Sequence, residues 1–160
     1  MIKLTKILFS ILLISSFALS SCKKKCDLGE SSDTGAIIPN MVIYPQSGYM
    51  TEHLQPNQYL VTADSEIADR FLMSTDNGYT RTDFDFGTYS LLAFPITTNC
   101  FAVFDRKVEI DHLNQVIFYK IAVRDCGKCS DKRYLENWVA IPAVASNYTV
   151  LYDVTQETVY

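Results

Sequence analysis

Two strand-like runs separated by four residues constrain this chain more than any other feature. Phe101 to Ile110 and Gln115 to Val123 are each strand-like, rich in Val, Ile and aromatic residues, and Asp111-His112-Leu113-Asn114 stands between them. Period-two alternation places one set of side chains on each face of a strand, and a loop of this length joins antiparallel neighbours. Folding the runs about the loop predicts Ile110 opposite Gln115, Val108 opposite Ile117, Phe104 opposite Ile121 and Ala102 opposite Val123. One face of the ribbon is then mostly apolar and must be covered. That need fixes the register, because a one-residue slip would turn the apolar set toward water.

Shorter strand signals flank the ribbon. Met41 to Tyr44 stops at Pro45, Gln58 to Thr62 follows Pro56, Asp83 to Phe86 leads through Gly87 into Tyr89 to Phe94, and Trp138 to Pro142 and Tyr148 to Val154 come last. Ten Tyr and nine Phe against one Trp fall largely in such segments, beside Val and Ile, which is strand composition. Most of these rings are therefore expected at buried or half-buried strand positions. One stretch changes period. After Asp64, a candidate N-cap, Ile67 with Phe71 and Ala68 with Leu72 stand at i,i+4 spacing, which predicts one short amphipathic helix over about 64–73, ending before Asp76-Asn77-Gly78. The predicted class is α+β, mainly β: an antiparallel sheet of six or more strands with that helix packed on it.

The N-terminus reads as an address. Lys3 and Lys6 precede the apolar run Ile7 to Ile14, and small residues lead into Leu19-Ser20-Ser21-Cys22. This is the layout of a secretory signal, too short to cross a bilayer and followed directly by Lys23-Lys24-Lys25. Leu19-Ser20-Ser21-Cys22 resembles the lipobox of bacterial lipoproteins. The resemblance implies cleavage after Ser21 and lipid on Cys22, with two or three acyl chains as a stable membrane anchor. Lipoproteins kept at the inner membrane carry Asp after that cysteine and surface-exported ones carry acidic residues there. Lys23 therefore points to the periplasmic face of the outer membrane. Residues 1–21 are expected to be the signal, 22–39 a lipidated start and polar tether, and 40–160 a single globular domain.

Cleavage takes 21 residues and two lysines from a chain of 160 residues with 14 basic and 18 acidic side chains, leaving 139 residues and a formal charge of −6. Such a balance argues against nucleic acid as a partner, since phosphate binding needs a basic surface.

Four cysteines remain beside Cys22: Cys26, Cys100, Cys126 and Cys129. In an exported protein an even count favours disulfides. The predicted register sets Cys100 opposite Asp125, near the Cys126-Gly127-Lys128-Cys129 loop. Cys100 is expected to bridge Cys126 or Cys129, with Cys26 taking the other; strict alternation puts Cys100 and Cys126 on opposite faces and so favours Cys129 for Cys100. Cys126 and Cys129 also have the spacing of a thiol-disulfide redox pair, and the four thiols could be read as a zinc set, although a zinc ribbon needs two close pairs.

Other chemistry is sparse. His53 beside Glu52, and His112 in the hairpin loop, lie outside any metal-binding motif and read as loop residues. Asp83-x-Asp85 and Asp76-x-Gly78 are too few oxygen ligands for calcium. No motif implies a cofactor, a catalytic residue or a metal. The stretch from Ser65 to Val154 resembles the small domain of a protease-complex stabilising subunit found among bacterial lipoproteins. The likeness is carried by the short helix of Ser65 to Met73, Asp83 to Leu92, the strand pair around Asp111, and Trp138 to Pro142. It implies a non-catalytic domain that binds another protein. The leading expectation is thus a non-enzymatic envelope lipoprotein with a protein partner. The rivals are a thiol-disulfide enzyme using Cys126 and Cys129, and a carrier of a small ligand.

Overall fold

The computed structural model describes residues 26–46, 59–76, 78–99, 101–128 and 131–160. Within them the chain forms β1 (Ser32–Gly35), β2 (Val42–Pro45), β3 (Leu60–Val61), β4 (Phe71–Ser74), β5 (Thr82–Asp83), β6 (Tyr89–Leu92), β7 (Ile96–Asn99), β8 (Ala102–Asp111), β9 (Val116–Cys126), β10 (Lys132–Leu135), β11 (Val139–Pro142) and β12 (Thr149–Val159). They assemble as a four-stranded sheet β1-β8-β9-β12, two three-stranded sheets β11-β6-β3 and β2-β4-β5, and a pair β10-β7. The domain is mainly β, as expected. It is not one antiparallel sheet of six or more strands: its largest sheet has four, and β1 on β8 and β12 on β9 both run parallel. Alternation reports which face a residue takes but not the direction of the neighbouring strand, so the sequence carried no signal for the parallel pairings.

The β8–β9 hairpin is present with its register displaced by two. Ile110 faces Ile117, Val108 faces Tyr119, Phe104 faces Val123 and Ala102 faces Asp125. The cause lies in the loop. Asp111 is the last residue of β8, and its carboxylate accepts hydrogen bonds from the backbone amides of Leu113 and Asn114 (both 3.0 Å) and from the Asn114 side chain (2.7 Å). The turn therefore spans His112 to Gln115, where Gln115 takes a left-handed φ of 54°. A shift of two keeps every side chain on its predicted face. In β9, Ile117, Tyr119, Ile121 and Val123 are buried, while Phe118, Lys120 and Ala122 are exposed.

That buried row meets the second sheet. Val108 and the four β9 residues share one core cluster with Leu92 of β6 and Val139 and Ile141 of β11. The next residues over, Leu91 and Ala140, belong to a second cluster with Val61, Phe71 and Phe84 on the side of β2-β4-β5. The β11-β6-β3 sheet is thus covered on both faces. This explains why Leu91-Leu92-Ala93 and Val139-Ala140-Ile141 are unbroken apolar runs rather than alternating ones.

The helix expected over about 64–73 does not form. Ser65, Ala68 and Arg70 each donate a backbone hydrogen bond three residues back, giving turns and a single 3₁₀ turn at Ala68–Arg70, and Phe71–Ser74 is strand. Only nine residues separate β3 from β4, too few for an isolated helix to be stable. Phe71 gains more by inserting between Trp138 and Phe86, at ring distances of 4.8 and 6.4 Å, than it would on an amphipathic stripe. The tether expected over 22–39 is also shorter than predicted in its described part. Leu28 and Ile37 are buried, and Ser32–Gly35 adds to β8. Gly35 closes β1 with φ 73°, and a Cβ there would collide with the Val108 carbonyl.

Because both faces of the middle sheet are filled, a cavity there has no route to collapse. Leu92→Ala should lower the unfolding free energy by about 2–5 kcal/mol, whereas Leu113→Ala at the exposed hairpin tip should stay within about 0.5 kcal/mol of the wild type. Urea denaturation followed by far-ultraviolet circular dichroism measures both.

Candidate functional site

The residues singled out by sequence chemistry separate into distinct places. Cys22, Glu52, His53, Cys100 and Cys129 lie outside the described residues. Cys26 and Cys126 are joined by a disulfide, with their Cα atoms 5.6 Å apart across 100 residues of sequence. This is one of the pairings left open above. It ties the first described residue to the last residue of β9. Cys126 is thereby engaged outside its own Cys-x-x-Cys loop; among the described residues Gly127-Lys128 form a turn and strand β10 begins at Lys132.

Beside the bridge, Asp125 is buried on the opposite face of β9. It accepts from the Asn99 backbone amide and the Gln156 side chain, both at 3.0 Å, and Lys132 reaches the Asn99 side chain at 2.7 Å. Burial pushes its pKa up, but hydrogen bonds from Asn99, Thr158 and Gln156 and the nearby Lys132 charge together outweigh that and hold it below the ordinary carboxylate value. This cluster locks β7 and β10 to the ends of β9 and β12.

Of the remaining acidic candidates, Asp83 lies in β5 and Asp76 and Asp85 act in turns. Asp76 accepts from the Ser74 hydroxyl at 2.6 Å and the Thr80 amide at 2.9 Å, and with the Thr80 hydroxyl these hold its pKa at about 2. Asp85 accepts from Thr88 and from the Gly87 amide, and its pKa is lowered accordingly. His112 contacts the Tyr148 hydroxyl through Nδ1 at 2.8 Å. Among the described residues no three His, Cys, Asp or Glu side chains converge as a metal set.

Two surfaces have the geometry of contact sites. The first is β12. It is eleven residues long, pairs with β9 along its whole length, and has no strand on its other side among the described residues. Alternate backbone N–H and C=O groups of such a strand point away from the sheet, a ready template for another strand. On its outer face Leu151 is 48 % exposed and sits beside Phe118, and Asp153 and Glu157 are exposed as well. The basic side chains next to these carboxylates are drawn toward β8: Lys120 pairs with Glu109 at 3.7 Å and Arg124 with Asp105 at 2.9 Å. The edge therefore presents an apolar step followed by negative charge. Its inner face is fixed by Tyr152, which packs on Phe94, Tyr119 and Tyr59 at ring distances of 4.8, 6.0 and 6.2 Å.

The second is a wide, shallow cleft of about 540 Å³ between β2 and β8, with Ile43, Phe104, Tyr134 and Trp138 on its walls. Its strongest polar groups are occupied from within. Arg106 makes a two-pronged pair with Asp33 at 2.7 and 2.8 Å, and Trp138 Nε1 donates to Glu136 at 2.8 Å. Asn137, at φ 47°, forms the corner by donating to the Phe94 carbonyl and accepting from the Tyr119 hydroxyl.

Neither a family model, nor a curated protein, nor a solved structure matches this chain. Of the features that carry the likeness to a protease-complex stabilising subunit, the strand pair around Asp111 is in place and the helix is not.

The sequence reading missed β12 as an edge. Its alternation was visible to Val154, yet position at the border of a sheet follows from the order of strands, which no local pattern encodes. The Asp125 cluster had a signal, a carboxylate at a position that alternation buries.

The bridge and Asp125 generate two expectations. Proteolysis without reductant should release one peptide pair linking Cys26 to Cys126, and the Cys26→Ser/Cys126→Ser variant should lose about 2–5 kcal/mol of stability. Asp125 has a folded pKa below its unfolded one, so its contribution is complete above the ordinary carboxylate range and is lost as pH falls below about 4. Asp125→Asn should cost about 1–3 kcal/mol at pH 7 and flatten the loss on acidification, measured by denaturation at pH 7 and pH 3.

Proposed function

We propose that this chain is an envelope lipoprotein, lipidated at Cys22 and held on the periplasmic face of the outer membrane, whose domain is non-catalytic and binds a protein partner by accepting a strand on β12. The observation that carries the reading is the eleven-residue edge that has no strand on its outer side among the described residues. Strand addition draws its affinity from backbone hydrogen bonds and its selectivity from alternate side chains. Leu151, Asp153 and Glu157 would favour a partner segment with an apolar residue followed by basic ones at every second or fourth position. The lipidation part rests on Leu19-Ser20-Ser21-Cys22 and the signal before it. The Cys26–Cys126 bridge favours structural cysteines over the thiol-disulfide enzyme using Cys126 and Cys129. The wide cleft beside Trp138, with its polar groups engaged internally, favours the carrier reading less than a deep pocket would.

Photocrosslinkers placed singly at Leu151, Thr155 and Leu113 in living cells test this. Adducts of one discrete mass are expected from Leu151 and Thr155 but not from Leu113, and Val154→Pro, which removes a backbone N–H directed away from β9, should abolish the Leu151 adduct while the variant still folds. Equal adducts from all three positions, or none from β12, would overturn strand addition.

A further inference from the structure

We infer that the Cys26–Cys126 disulfide clamps one end of the domain against the bilayer, so that the long strands stand away from the membrane with the β8–β9 hairpin tip outermost. The inference rests on the lipidated-Cys22 reading and goes beyond it. The bridge lies at the last residue of β9, where Val159 of β12 stands beside Cys126 and Ala102 of β8 stands opposite Asp125. All three long strands therefore share this end. Cys22 precedes Cys26 by four residues. A chain spans at most about 3.6 Å per residue, so a lipid anchor on Cys22 lies within about 14 Å of the bridge. The tip at Leu113 is at the far end of ten-residue β8, roughly 30 Å further out at about 3.4 Å per residue.

The bridge sets this standoff. Without it the next backbone pairing is β1, which begins at Ser32. The six residues from Cys26 to Ser31 would then be held chiefly by buried Leu28 and by the hydrogen bond from the Phe104 amide to Ser31 Oγ. Peeling them away would lengthen the leash to about 36 Å.

The clamped end also presents groups suited to a lipid headgroup region. Phe101 is 47 % and Tyr160 82 % exposed, and the Tyr160 ring lies so close over Gly127 that a Cβ there would meet it. Aromatic rings favour the membrane–water interface. Asp27, Lys128 and Glu157 are all exposed and of mixed sign, so the contact depends on the short leash and the two rings rather than on net charge. The β12 edge would run from Val159 near the bilayer to Thr149 far from it.

The test uses the mature lipid-modified protein in nanodiscs of phosphatidylethanolamine and phosphatidylglycerol carrying gadolinium-chelating headgroups, read by amide line broadening. Strong broadening is expected at Phe101, Gly127, Lys128 and Tyr160, and little at Leu113 and Asn114. A ten-residue Gly-Ser insertion between Lys25 and Cys26 leaves the bridge and fold intact and should reduce the broadening several-fold. Cys26→Ser/Cys126→Ser, if folded, should do the same. Uniform weak broadening at both ends, strongest broadening at Leu113, or no effect of the insertion would overturn the inference. A protein whose intact mass shows no lipid on Cys22 and which stays out of the discs would overturn the lipidation reading and this inference with it, an outcome distinct from the others.

Discussion

The rest of the molecule is assembled on the register of the β8–β9 ribbon, and that register is set by one carboxylate. Asp111 gathers two backbone amides and a side-chain amide into a four-residue turn, which commits ten residue pairs at once. From that commitment follow the buried row Ile117, Tyr119, Ile121 and Val123, the exposed row on the other side, and the place of Cys126 at the strand end. β1 and β12 then add in parallel to the two borders. A ribbon so regular supplies most of one core, and a second sheet must cover it.

That cover is the β11-β6-β3 sheet, which is itself covered by β2-β4-β5. Successive residues of β6 and β11 serve alternate clusters: Leu92, Val139 and Ile141 face the ribbon, and Leu91 and Ala140 face Phe71 and Phe84. Three sheets in succession let short strands be stable, because each is held through side-chain burial more than through its few backbone pairs. The disulfide and the Asp125 cluster close the end at which β8 begins and β9 and β12 finish.

Much of this was legible in the residues, and the failures have physical causes. Two strand-like runs folded about a short loop gave the ribbon, and the period of two gave its faces. It could not give the loop, because the Asp111 interactions that move the turn by one residue depend on which residue lies in the sheet's last pair. The stretch from Asp64 to Met73 satisfied a helical spacing, but i,i+4 pairs over so few residues are weak beside the burial available to Phe71. β1 hides in the polar sequence Ser32-Asp33-Thr34-Gly35, whose strand character comes from Asp33 meeting Arg106 and from the ladder with β8. β7 and β10 are similarly polar. Cysteine pairing was open from sequence because disulfide partners are decided by tertiary geometry, and only Cys26 with Cys126 falls within the described residues. The candidate contact surface was the least legible part, since an edge is a property of strand order.

Function on this account turns on whether the outer side of β12 is open to a partner. Residue-resolved hydrogen exchange along Thr149–Val159 in the soluble domain measures that directly. An open edge paired only to β9 predicts a two-residue rhythm: amides directed at β9 exchange slowly, like those of β9 itself, and the intervening amides exchange at rates close to those of exposed loops. Uniform slow exchange along the whole strand would mean that the edge is already covered, and would contradict the account.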